Sequence, residues 1–145
     1  MSVPINKRLP EKVWKLMLQS MPIPCVDLIC INDNGEILWG WRRIPPLNNR
    51  WALLGGRIIR GESPLETAQR QAKHYGISYQ KLMLNGIFSW NSKARCDVTI
   101  NFVALGARGN GCPREEFTKL EWKKEIPEPS IPIHRQAVKQ WRKEQ

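Results

Sequence analysis

The residues best placed to do chemistry lie between Trp51 and Gly76, where a glycine pair, two arginines and a glutamate precede a helix-forming run. Gly55-Gly56-Arg57 closes a short apolar segment, Trp51-Ala52-Leu53-Leu54, and Gly61-Glu62-Ser63-Pro64 opens the helix. Glycines lack a Cβ and let backbone N–H groups approach an anion, while a helix N-terminus adds favourable potential. Arg57 and Arg60 add positive charge to the same loop. The chemistry such a segment supports is the holding of phosphate.

The spacing is more specific than the composition. Gly56 is followed after five residues by Glu62, and Glu62 after seven by Arg70. With Gly55-Gly56-Arg57, the preceding Trp51-x-Leu-Leu, the small Ala68 and the terminal Gly76, this segment resembles the Nudix box. The resemblance extends to the GDP-mannose mannosyl hydrolase branch. It rests there on the strand Val26-Asp27-Leu28-Ile29, the Asn-x-Gly-Glu-Ile-Leu-x-Gly-x-Arg pattern of Asn34 to Arg42, and Phe102-Val103-Ala104-Leu105-Gly106.

That resemblance implies a Nudix fold of α+β class, an α/β/α sandwich with a mixed sheet between helices. It implies a hydrolase of a nucleoside diphosphate derivative, most like a GDP-sugar such as GDP-mannose, assisted by Mg²⁺ or Mn²⁺. Asp27, Arg42, Arg57 and Arg70 match polar positions of the branch's active site, with Arg42 and Arg57 clamping the pyrophosphate. The Gly55 carbonyl is the implied metal ligand, and Glu62 with Arg70 forms the structural pair tying loop to helix. A homodimer is usual in that branch.

The departures bear on the metal. A Nudix helix displays glutamates just after the arginine, but here the run is Arg70-Gln71-Ala72-Lys73-His74-Tyr75-Gly76, with no carboxylate after Glu66. Mg²⁺ prefers hard carboxylate and phosphate oxygens. His74 or Tyr75 stands where the branch keeps one metal-binding glutamate, so the cation is expected to be weakly held. The branch's general-base histidine is also missing, since the loop Gly109–Phe117 contains none. Glu115, Glu116 and His134 are the candidate bases in its place. Glu66 reads most simply as an i,i+4 partner of Arg70. Asp97, at the start of a strand, is a candidate metal or sugar contact. The alternative is a non-catalytic Nudix domain binding a nucleotide or nucleic acid.

These residues need a frame. Val13, Leu16 and Met17 at helical spacing after Pro10-Glu11 predict a short helix ended by Pro22 and Pro24. Residues 25–31 are an apolar strand, joined through Asn32-Asp33-Asn34-Gly35 to a second strand over 36–41 as a hairpin. Residues 51–54 form a strand stopped by Gly55-Gly56. Ser63 caps a helix over 64–75, with Pro64 at its first position and Gly76 at its end. Strands follow over 82–90, 97–107 and 117–122, with a turn at 91–95, and a helix over 133–143 closes the chain. Trp39 and Trp41 share a strand face, either in the core or beside a base-stacking cleft.

Composition sets the bounds. The 145 residues suit one domain, 1–145, with 41% hydrophobic and 25% charged residues. No apolar run approaches the ~18 residues of a membrane span. The N-terminus reads as unlike a secretion signal, which predicts a cytoplasmic protein. Cys25, Cys30, Cys96 and Cys112 lack zinc-site spacing and read as free thiols. The net charge of +10 favours anionic partners, nucleotides or nucleic acid, although the Lys and Arg residues are scattered.

Overall fold

A computed structural model describes residues 9–145. Its elements are α1 (Glu11–Ser20), β1 (Ile23–Ile31), β2 (Ile37–Arg42), β3 (Arg50–Ala52), β4 (Leu54–Arg57), α2 (Pro64–His74), β5 (Lys81–Asn91), β6 (Cys96–Leu105), β7 (Phe117–Lys123) and α3 (Pro132–Lys143). They build a mixed seven-stranded sheet flanked by helices, the α+β arrangement expected.

β1 explains why residues 25–31 are apolar almost throughout. It runs parallel to β6, from Ile23↔Asp97 to Ile31↔Leu105, and antiparallel to β4, from Cys25↔Arg57 to Leu28↔Leu54. A strand paired on both edges and covered on both faces has no solvent side, so Val26 and Leu28 to Cys30 are all buried. β5 completes this half beyond β6.

β2 centres the other half, between β3 and β7. The hairpin predicted at 32–35 forms, yet β1 and β2 pair only at Ile31↔Ile37. Beyond that pair each strand takes other partners, and the two halves part. The interior is filled by Trp39, Leu38, Leu53, Leu54, Val103 and Val138, so Trp39 belongs to the core. Trp41 packs edge-on against Trp51 at 5.3 Å between ring centres.

Two boundaries differ from the sequence reading. The strand expected over 51–54 is two strands broken at Leu53, whose N–H donates to His134 Nδ1 at 3.0 Å instead of to the sheet. Gly55 and Gly56 are not a loop; they lie within β4, opposite Asp27 and Val26. A Cβ on Gly55 would overlap the Val26 carbonyl and lie 2.5 Å from Asp27 Oδ1, so this close approach requires glycine. α1 forms where expected but contributes no buried residue to the core: Val13 and Leu16 stay exposed.

Candidate functional site

α2 starts as its sequence dictates. Ser63 Oγ accepts the Glu66 N–H at 3.1 Å, and Glu66 Oε1 accepts the Ser63 N–H at 3.0 Å, a complete capping box with Pro64 in the first turn. Glu66 is thereby used as a cap rather than as the Arg70 partner. Glu62 Oε2 receives Arg70 Nε at 2.6 Å, while its Oε1 receives Arg70 Nη2 and Thr67 Oγ1, each at 3.0 Å. Arg70 Nη2 also donates to the Arg57 carbonyl at 3.0 Å. Arg70 therefore fixes the loop to the helix and is absent from the cleft lining, which favours the structural use over substrate contact.

The cleft lies where β1 and β2 part, walled by β1, β2, β4, the start of β6 and the segment leading into α3. Asp27 projects from β1. Its Oδ2 accepts Thr99 Oγ1 at 2.7 Å and faces His134 Nε2 at 3.2 Å. His134 Nδ1 accepts from Leu53, and Nε2 carries the proton donated to the carboxylate. Burial pushes Asp27 up, but the electrostatic attraction of His134, then its hydrogen bond, that of Thr99 and the nearby Arg42 outweigh it, so its carboxyl lies below the usual range. Asp27 is an anion held in place.

Glu116 is the second cleft carboxylate. Arg42 Nη1 donates to its Oε1 at 2.5 Å, and the Tyr75 hydroxyl donates to its Oε2 at 2.6 Å. Burial pushes Glu116 above the usual carboxylate range, against the opposing pull of Tyr75 and Arg42. Two carboxylates facing one cleft are thus displaced in opposite directions, the pattern that separates an ionised group from one able to exchange a proton.

Charge and an aromatic surface complete the walls. Arg57 and Arg95 both lie over the Trp14 ring of α1, at 5.3 and 5.5 Å. Arg95 is anchored to Asp97 at 2.6 Å. Trp14 presents its ring at the cleft beside these two guanidinium groups.

The sequence candidates sort as follows. Asp27, Arg42, Arg57, Gly55, Glu116, His134 and Asp97 line the cleft; Arg70, His74, Tyr75 and Glu115 do not. Glu115 gives its backbone carbonyl to Arg43 Nε at 2.6 Å. His134 holds Leu53 and Asp27 with its two nitrogens, so it positions Asp27 and has no lone pair free for water. Arg42 is engaged by Glu116 and by the Ile44 carbonyl at 3.1 Å.

The metal candidates do not form a site. Tyr75 spends its hydroxyl on Glu116, and burial first, then Glu116, pushes that phenol up, so it stays protonated. The His74 ring stacks edge-on against Tyr75 at 4.9 Å, and partial burial with Arg114 and Arg70 pushes its pKa down. The Gly55 carbonyl is occupied: in the amide orientation that satisfies both ends, Gln71 Nε2 donates to it at 3.1 Å and Gln71 Oε1 accepts from Arg70 Nη1 at 3.0 Å. Among the described residues no cluster of three His, Cys, Asp or Glu side chains could hold an ion. The donor set does not fit the expected Mg²⁺ or Mn²⁺.

Trp14, Arg95, Thr99 and Gln71 escaped the sequence reading as site residues. Thr99 carried a signal that pointed the other way. It alternates with Val98 and Ile100, which suggests a solvent face, but Thr99 and Asn101 are buried and both bind Asp27, through its carboxylate and its carbonyl.

The NUDIX domain family model matches residues 21–74. The low-salt glycan biosynthesis protein Agl8 of Haloferax volcanii is 29% identical over 65 residues, which are 45% of this chain and 41% of that protein. The matched part therefore spans about two-fifths of that relative. A MutT NUDIX hydrolase from Burkholderia pseudomallei has a similar structure, with TM-score 0.76, 21% identity, and 83% of this chain and 98% of that one covered. The NUDIX domain of Shewanella oneidensis NrtR, solved with ADP ribose, gives TM-score 0.69 at 18% identity, covering 94% and 99%. No helix among the described residues is long and apolar enough to cross a membrane. The match at 21–74, set in a sheet that follows these structures over most of its length, shows that this chain has the fold of those Nudix structures.

Proposed function

We propose that the protein is a hydrolase of nucleoside diphosphate derivatives that cleaves a nucleotide sugar, GDP-mannose being the first compound to try. The observation that carries this reading is the pair of oppositely shifted carboxylates, Asp27 and Glu116, in one cleft with Arg57 and Arg95. In this reading the two arginines hold the diphosphate, and the Trp14 ring takes the base. Asp27, ionised and fixed by Thr99 and His134, sits against charge developing on the sugar. Water attacks the glycosyl carbon, the C–O bond to the diphosphate breaks, and the Glu116 carboxylate accepts the water proton. Each Glu116 oxygen carries one bond from Arg42 or Tyr75 and keeps a second lone pair for that proton. The products are the nucleoside diphosphate and the free sugar. The same reading takes the protein to be a cytoplasmic homodimer.

One observation favours a second reading, a Nudix domain that binds a nucleotide or nucleic acid without turnover: the Gly55 carbonyl is closed by Gln71. A single experiment separates the two. Incubation with a panel of GDP-, UDP- and ADP-linked sugars in ¹⁸O-water should release nucleoside diphosphate with the label in the sugar. Glu116→Gln should then lower kcat by about 10²–10⁴-fold, the usual worth of a general base. Label in phosphate would move the attack to phosphorus. No product from any compound, with tight nucleotide or RNA binding by calorimetry, would establish the binder.

A further inference from the structure

Where the C-terminal half of α2 packs on β4, an amide stands in the place of a carboxylate. Gln71 directly follows Arg70, where a Nudix helix carries a glutamate, and its side chain reaches back across β4. The amide head fills the space that a Cβ on Gly56 would need, so it is pressed against the glycine pair. It donates to the Gly55 carbonyl and accepts from Arg70 Nη1, and the residue is buried. A carboxylate here would set an acceptor against an acceptor, and only a cation between them would relieve that. An amide supplies its own donor, so the pair closes without a third party.

The surrounding charge points the same way. Arg70 touches both Glu62 and Gln71, so one guanidinium group already occupies this corner beside a single carboxylate, while the Arg57 guanidinium lies over Trp14 in the cleft. A divalent ion placed there would meet repulsion that no second carboxylate offsets, since the nearest helix positions offer His74 and Tyr75.

We propose that the Gln71 amide takes over the loop-bridging work of a divalent cation, so the Gly55–α2 corner is held shut by a hydrogen bond and binds no metal. Diphosphate charge is then left to Arg57 and Arg95 across the cleft. This does not depend on the hydrolase reading, because it is tested by cation binding rather than by turnover.

The test is position-resolved. Mn²⁺ is titrated into ¹⁵N-labelled protein, and paramagnetic broadening is read at the Gly55, Gly56 and Arg57 amides against amides on α3. In the wild type these three signals should broaden no more than the remote ones. In Gln71→Glu they should broaden selectively, with an affinity at least about tenfold higher than any site in the wild type, the worth of one charge-assisted contact. Gln71→Glu should also melt lower in EDTA and recover with Mn²⁺, whereas the wild-type melting point should be the same in both. Selective broadening at Gly55 in the wild type overturns the proposal even if the variant fails to fold. A folded Gln71→Glu that gains no broadening there also overturns it, since the amide would then not be what bars the ion.

Discussion

Replacing Thr99 with valine keeps the shape of a buried side chain and removes one hydrogen bond, the 2.7 Å contact to Asp27 Oδ2. A bond to an ionised acceptor is worth about 1.5–3 kcal/mol net, so Thr99→Val should cost about 2 kcal/mol at neutral pH. Part of that cost belongs to the charged form of Asp27 alone, so its native pKa should rise in the variant. The pH dependence follows. Asp27 is depressed in the folded state, so its contribution is complete above the unfolded value of about 3.9 and is lost as the pH falls through the native value. The gap between wild type and Thr99→Val should therefore be widest at neutral pH and narrow below it in acid. Urea unfolding measures this directly. With m of about 1–3 kcal/mol/M, the midpoint should drop by about 1 M at neutral pH and by less in strong acid. An equal gap at both pH values, or a loss below about 0.5 kcal/mol at neutral pH, would refute the assignment of an ionised, Thr99-anchored Asp27.

Three further outcomes test other parts of the structure. Arg95→Ala, which leaves Asp97 without its 2.6 Å partner, should raise KM for a nucleotide sugar about tenfold or more with less effect on kcat, as should Arg57→Ala; steady-state kinetics separates the two parameters. Glu62→Ala strips Arg70 of its carboxylate beneath the loop and should cost about 2–3 kcal/mol, lowering Tm by about 5–10 °C in a scanning melt. A thiol reagent at mildly alkaline pH should modify exposed Cys112 in the native protein. Cys25 and Cys30, whose thiols burial pushes up to about 12, should react only after unfolding, as mass spectrometry of partly labelled protein would show.

The part of the site legible in the sequence was the part built locally. Ser63, Pro64 and Glu66 mark the start of α2 by rules that act over a few residues, and the Gly56–Glu62–Arg70 spacing is a loop and a helix measured along one chain. Asp27 stood out because a carboxylate in an apolar strand must have a partner. The partners themselves were not legible. Thr99 lies 72 positions from Asp27, and it reads as a solvent-facing residue until β6 is seen to run parallel to β1 inside a covered sheet. Trp14 and Arg95 meet only because α1 and the β5–β6 turn converge on β4. The missing glutamates showed that a metal would be poorly held, but that Gln71 would answer the Gly55 carbonyl with its own amide depends on a contact across elements.

The break at Leu53 has a consequence for how the protein is made. His134 closes the gap between β3 and β4 from 81 positions downstream, and the same late segment pairs with Trp51 through the Pro129 carbonyl and the Ile131 N–H. During synthesis, at about 5–20 residues per second, β1, β2 and the whole glycine–arginine segment leave the ribosome well before residue 134. Until then Leu53 offers an unanswered N–H and Asp27 lacks its imidazole. The nascent chain can assemble most of the sheet, but its cleft stays incomplete until residue 134 has emerged, and a stop codon shortly before that position would leave Asp27 and Leu53 without their shared imidazole.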